Sequence, residues 1–329
     1  MKWNAKLKLM MAVMLTAMML VIAACGGAVR DNSNGNGNAG AGNGGAAVEQ
    51  GESGTAASEY PLKIKDDTGT ELTFEHAPSK VVTLVPSETE IMYALGGADL
   101  VAGVDQFSNY PEEAAAKPKV GDMTTNIEAV VALTPDLVLA SSSMNTDAVA
   151  KLRELGIPVF ASDPLTYDAT IEKIEKVGHI VNKNEEAAKV ANHMRETKQH
   201  VVDAVKGAEK KKVYLEFSVG WTVGSGTFLD ELLTLAGGTN IAASQPSWYE
   251  VNAEEVVKQN PQIIIFPALK EEPNPIKAAI EGRPGWDTID ALKNKQLFAV
   301  TEDPLVRVGP RLADGLLEMA KAIHPDLVK

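Results

Sequence analysis

From Glu185 to about Ala208 the chain reads EEAAKVANHMRETKQHVVDAVKGA, with no proline and no glycine before Gly207. Without either helix breaker this stretch predicts one long helix, which at 1.5 Å per residue extends about 35 Å. A rod of that length reaches beyond one small domain, so the parts folded on either side of it are set along a stiff spine. Restricted motion between them follows.

Both flanks carry the same kind of pattern. Before the spine, apolar β-rich runs at Lys80–Val85, Leu100–Val104, Leu137–Ala140 and Val159–Ala161 alternate with amphipathic stretches; after it, Val213–Phe217, Ile263–Phe266 and Leu297–Val300 alternate with helical Phe228–Ala236, Ala253–Gln259 and Arg311–Ile323. Near-continuous apolar strands separated by helices imply mainly parallel sheets covered on both faces, with a ligand crevice beyond the strands' carboxyl ends. The predicted fold class is α/β, two Rossmann-like lobes joined by a single long helix. A length of 329 residues agrees with two domains.

The amino terminus has a different character. Lys2, Lys6 and Lys8 precede an uncharged apolar run, residues 9–24, that ends in small residues before Cys25. This reads as an export signal, and its 16 residues fall short of the ~20 that span a bilayer. Its end, Ile22-Ala23-Ala24-Cys25, resembles the bacterial lipobox, which implies cleavage and lipidation of Cys25, the chain's single cysteine. Two or more acyl chains supply the stable anchoring that one chain does not. Gly26 to about Ser58 is mostly Gly, Asn, Ala and Ser, without an apolar face, and reads as a tether of r.m.s. span about 30 Å. The expected layout is a signal peptide at 1–24, a lipidated disordered tether at 25–59, an N-terminal lobe at 60–184, the interlobe helix at 185–208 and a C-terminal lobe at 209–329. The formal charge of −13 with no long basic stripe argues against nucleic acid as a partner.

A local signature recurs in the two lobes. Asn126-Ile-Glu128 and Asn252-Ala-Glu254 each lead, at identical spacing, through Pro135 or Pro261 into an apolar strand. Asn suits a helix cap, and Glu two residues on favours the positive end of the helix dipole. Ser87 followed by Glu90 has the form of a capping box at the first helix.

These elements, together with KVVTLVPSETE from Lys80, Asn109-Tyr110-Pro111, Lys119-Val-Gly-Asp, Gly226-Thr-Phe-Leu-Asp-Glu-Leu-Leu, Arg283-Pro-Gly-Trp and Gly309-Pro-Arg-Leu, occur in family order over about 270 residues. In them the chain resembles the cobalamin and iron-siderophore solute-binding lipoproteins of ABC importers. The resemblance implies two lobes on one long helix, a monomer held at the extracytoplasmic face of the cell membrane by its lipid anchor, and delivery of a metal-chelate ligand to an ABC permease dimer with its ATPase. It further implies that one exposed glutamate per lobe, Glu128 and Glu254, docks on permease arginines. Bidentate carboxylate–guanidinium pairing suits such a fixed orientation.

Aromatic residues are only 5% of the chain, yet Phe107, Tyr110, Trp221, Trp248 and Tyr249 fall in segments read as loops, where side chains meet solvent or ligand. Phe107 and Trp248 match pocket-lining positions of the family. Trp286 is expected to pack a helix start. Arg307, after the strand ending at Val300 and the turn Glu302-Asp303-Pro304, faces the crevice and suits an acceptor-rich ligand edge. Arg311, at a helix start, needs a ligand or a carboxylate to offset the dipole; an interlobe salt bridge is the alternative. His76, His179, His193, His200 and His324 fall outside the crevice loops, so no metal site and no resident cofactor is expected. Haem would depend on Tyr110 or Tyr249 as axial ligand, and a catecholate siderophore on several convergent cations. A corrinoid or a near-neutral ferric hydroxamate suits the residues better, with cobalamin slightly favoured. An enzyme, such as the chelatases of similar fold, is not expected, since the chain has no G-x-S-x-G elbow, Walker loop or dinucleotide fingerprint. A surface ligand sensor is a third alternative.

Overall fold

A computed structural model of the chain describes residues 56–329. The signal peptide, Cys25 and all but the last residues of the tether lie outside the described residues. Among those described, no helix is long and apolar enough to cross a membrane.

The first lobe opens with an antiparallel hairpin, β1 (Leu62–Lys65) and β2 (Glu71–Phe74). Its main sheet is built from β3 (Val81–Thr83), β4 (Val101–Val104), β5 (Leu137–Ala140) and β6 (Val159–Ala161), all parallel, in the order β4-β3-β5-β6. The helices α1 (Pro86–Ala94), α2 (Ile127–Ala132), α3 (Thr146–Glu154) and α4 (Tyr167–Ile180) cover it. The four strands are continuous apolar runs because both faces are buried. Alternation divides them cleanly: Leu137 and Leu139 of β5 join the core shared with α4, whereas Val138 and Ala140 join the cluster that includes α3.

The spine follows as α5 (Asn184–Ala204), 21 residues and about 31 Å long. It stops four residues short of Ala208 because its last turn closes on Val205, whose N–H bonds to Val201 and Asp203, and Gly207 then takes the left-handed region at φ 80°. Its close seat against α4 depends on small residues. A Cβ at Gly178 would stand 2.3 Å from that of Ala187, so only glycine permits this approach.

The second lobe contains β7 (Lys211–Ser218), β8 (Trp221–Val223), α6 (Phe228–Leu235), β9 (Gly238–Asn240), β10 (Trp248–Glu250), α7 (Ala253–Gln259), β11 (Ile263–Pro267), α8 (Pro275–Gly282), α9 (Asp290–Lys293), β12 (Leu297–Val300), α10 (Asp303–Val306) and α11 (Leu312–Ile323). β9, β7, β11 and β12 run parallel, while the far half of β7 pairs with β8, and β8 with β10, in antiparallel fashion. Trp221 and Trp248, read from sequence as loop residues, therefore sit on strands. Likewise the segment after Glu302 is the short helix α10, not a turn.

One apolar core runs through both lobes. It joins Leu137, Phe160 and Ile174 to Ala191, Met194 and Val201 of α5, and these to Leu215, Ile265 and Leu316. A second layer on the outer face of each sheet completes the three-layer arrangement. Because α5 contributes side chains to the shared core, movement of the lobes would expose apolar surface at about 25 cal/mol per Å². The joint is stiff for that reason.

Candidate functional site

The paired Asn-x-Glu elements lie in equivalent places. In the first lobe, Val120 N–H donates to the carbonyl of Val104, the last residue of β4 (3.0 Å), and Asn126 N–H donates to the Val120 carbonyl (2.8 Å). In the second, Val251 N–H donates to the carbonyl of Gly220, just past β7 (2.8 Å). The first helix start is thus tied to the carboxyl end of a parallel strand, and the second to the turn between β7 and β8. Asn126 Oδ1 accepts from Ala129 N–H (3.0 Å), and Asn252 Oδ1 from the N–H groups of Glu254 (3.0 Å) and Glu255 (3.1 Å). Glu128 and Glu254 are exposed, and neither has an ion-pair partner among the described residues. Trp286, fully buried, donates from Nε1 to the Ala253 carbonyl (3.2 Å) and so braces the second helix start.

The loop after β4 carries Phe107 and Tyr110, and a buried chain of hydroxyl groups holds it. Thr83 Oγ1 meets Thr89 Oγ1 at 2.6 Å, Thr89 meets Ser108 Oγ at 2.7 Å, and Ser108 donates to Asp105. Lys119 Nζ closes the loop on the Ser108 carbonyl (3.0 Å). Phe107 is left 50% exposed on this fixed support.

The register of β8 and β10 sorts the other aromatics. Trp248 opposes Val223 and Glu250 opposes Trp221, so Trp221 and Trp248 share a face, where Trp248 also meets Phe217 edge-on at 5.5 Å. Tyr249 is on the opposite face. Its hydroxyl donates to the Ala242 carbonyl (2.9 Å), and its pKa is raised by burial, with a lesser push from Glu255. The structure does not bring Tyr249 together with Trp221 and Trp248.

Arg307 and Arg311 are not free cations. Arg307 pairs with Glu90 (2.8 Å) and Asp303 (2.9 Å) and donates to Asn109 Oδ1 (2.9 Å). Arg311 pairs with Glu90 (2.6 Å) and Asp303 (3.4 Å), and its guanidinium lies 3.9 Å from the centre of the Tyr110 ring. Burial works against its charge, but hydrogen bonding and attraction from Glu90 and Asp303 raise its pKa. The interlobe salt bridge is the alternative that holds for Arg311. The capping box at Ser87 and Glu90 does not form: Val85 is the N-cap, without a side-chain bond, Pro86 fills the first turn, and Glu90 is consumed by the two arginines.

The loops after β5 and β6 add residues that the sequence did not single out. Asp163 accepts from Ser141 Oγ (2.7 Å), Ser142 Oγ (2.8 Å) and Ser143 N–H (2.6 Å), leaving Met144, next to Ser143, and Leu165, two positions past Asp163, exposed. Their signal was present: a large apolar residue in a polar loop directly after a buried strand. Of the eleven exposed large hydrophobic residues among the described residues, eight (Phe107, Tyr110, Met123, Met144, Leu165, Val219, Trp221 and Trp248) belong to carboxyl-end loops or the β8–β10 extension.

Two Rossmann-like lobes on one long helix, with this rim at the strands' carboxyl ends, define a class III periplasmic-binding-protein-like architecture. The chain matches the periplasmic binding protein family over residues 81–304 and belongs to it. It is similar to an uncharacterized ABC transporter substrate-binding lipoprotein of Bacillus subtilis, 36% identical over 281 residues, covering 82% of this chain and 88% of the relative. A cobalamin-binding protein of Halobacterium salinarum is 31% identical over 82% of this chain and 75% of its own length. Among solved structures, the periplasmic vitamin B12-binding protein of Vibrio cholerae superposes with a TM-score of 0.67 at 28% identity, covering 75% of this chain and 97% of that one.

Proposed function

We propose that the protein is the extracytoplasmic substrate-binding lipoprotein of an ABC importer, anchored through Cys25, and that it holds a near-neutral metal chelate between its lobes. Cobalamin is favoured over a ferric hydroxamate. The observation that carries this reading is the concentration of exposed aromatic and aliphatic side chains on the strands' carboxyl ends. Phe107, Tyr110, Trp221 and Trp248 supply stacking and apolar contact, while Arg307 and Tyr249 are engaged within the protein and serve the site through the groups they hold. The names of the relatives support the substrate class. A haem ligand is the weaker reading, since the Tyr249 hydroxyl is spent on Ala242 and only Tyr110 is left as an axial candidate.

Delivery follows from the same geometry. The protein acts as a monomer, and Glu128 and Glu254, exposed at equivalent helix starts, pair with arginines of the two permease subunits. Small closure on ligand follows from the core shared across α5. ATP-driven rearrangement of the permease then parts the lobes. The test is a titration of the purified mature protein against cyanocobalamin, cobinamide, haem and ferric hydroxamates, followed by tryptophan fluorescence. Saturable binding of a corrinoid with quenching is expected; binding of haem alone, or of none of these, would overturn the reading.

A further inference from the structure

The two arginines at the lobe seam raise a question of charge. Arg307 and Arg311 belong to the second lobe and Glu90 to the first, and Glu90 is only 3% exposed while it accepts from both guanidinium groups. Asp303 pairs with both arginines as well. Two positive and two negative side chains thus form a closed quartet with no net charge. Asn109 takes a further Arg307 donor, and the Tyr110 ring covers one face of Arg311, so the quartet is joined to the loop that carries Phe107. Gly309 of the second lobe also sits beside Ser87 of the first, where an added Cβ would stand at ordinary contact distance, 3.4 Å, from the Ser87 carbonyl oxygen.

Guanidinium pairs at the end of a binding rim are the natural receptors for polyanionic chelates, because each offers a fork of donors to oxygen ligands. Here that capacity is cancelled from within. A ligand oxygen competing for Arg307 or Arg311 must displace a buried carboxylate, which would then be left unpaired at high cost. Resting on the proposed function, we propose that Glu90 is a specificity-determining residue: it masks Arg307 and Arg311 and so excludes polyanionic chelates while leaving the rim open to neutral ones. Asp303 assists from within the second lobe. Glu90 itself need not touch the ligand, and it acts through the arginines.

Equilibrium dialysis of the full mature chain with two probes tests this: ferric tris-catecholate, a trianion, and cyanocobalamin, which is neutral overall. Glu90→Gln keeps the shape and removes one charge. The ratio of catecholate to cyanocobalamin affinity is expected to rise about tenfold at low salt, the scale of a unit charge acting on a trianion across roughly 10 Å of water. That gain shrinks as salt screens it, which a purely structural role for Glu90 would not produce. Asp303→Asn, at a partly exposed site, should move the ratio in the same direction and keeps the test valid if Glu90→Gln folds poorly. An unchanged ratio in both variants, or a gain indifferent to salt, overturns the assignment. Absence of cyanocobalamin binding in the unaltered protein would count against the proposed function, and the mask is then judged on catecholate affinity alone, variant against parent.

Discussion

Replacing Arg283 by alanine should be among the most damaging single changes outside the ligand rim. Glu216 is fully buried, and its carboxylate takes both arms of the Arg283 guanidinium, the Tyr214 hydroxyl (3.1 Å) and the Gly220 N–H (2.9 Å). Hydrogen bonding from Glu216 is the main reason the Arg283 pKa is raised against the opposing effect of burial. Truncation strands a buried carboxylate, a loss of about 3–5 kcal/mol. It also removes a guanidinium 4.5 Å from the Trp286 ring centre, which adds about 0.5–1 kcal/mol. A total of about 5 kcal/mol should lower the melting midpoint by about 10–20 °C in a domain of this size, read by calorimetry and urea unfolding. The matching double change, Arg283→Met with Glu216→Gln, removes both charges and should recover most of the loss. A drop below about 1 kcal/mol in the single variant, or a double variant as unstable as the single, would refute the argument that burial makes this pair strong only while both partners remain.

Other expectations follow from particular sites. Lys173 and Glu88 form a buried pair at 2.8 Å, and the Glu88 pKa is raised chiefly by burial and drawn back by Lys173. A raised carboxyl pKa favours folding below its ordinary value near 4.5 and loses that contribution as pH climbs through the folded value. Lys173→Met removes the restraint and raises the folded value further, so the variant's instability relative to the parent should set in only above the parent's own raised folded value, grow with pH and reach about 3 kcal/mol once the parent's carboxyl is ionised, measured by urea midpoints across pH. At Gly224 a Cβ would stand 1.8 Å from the Gln245 carbonyl oxygen. Gly224→Ala should therefore displace the segment leading to Trp248 and reduce ligand-induced quenching. Asn252→Ala removes the cap on two N–H groups and should cost about 1 kcal/mol in thermal unfolding.

Several elements were legible in the chain itself. The strands 137–140 and 159–161 agree to the residue because buried parallel strands are continuous apolar runs bounded by turn residues, and the apolar run 297–300 agrees as well although it forms a partly exposed edge strand. The asparagine caps were readable since capping is local. The β8–β10 pairing was not, because three-residue strands show no periodicity and the two are separated by α6 and β9, and the face of Tyr249 follows only once β10 is known to be a strand. Long-range pairs were equally hidden. Glu88 and Lys173 are 85 positions apart, Glu216 and Arg283 67 apart, and Glu90 and Arg311 221 apart. Nothing in local patterning announces such partners, and for Glu90 the local capping signal pointed to the wrong role.

The central claim is delivery by docking through both lobes, and uptake of radiolabelled cobalamin by intact cells tests it most directly. With Glu128→Ala and Glu254→Ala combined, the purified protein should bind its ligand as before, since both carboxylates are exposed and unpaired at helix starts among the described residues, while cellular uptake falls to the level of cells lacking the protein. Uptake at the unaltered rate in that double variant would contradict the account.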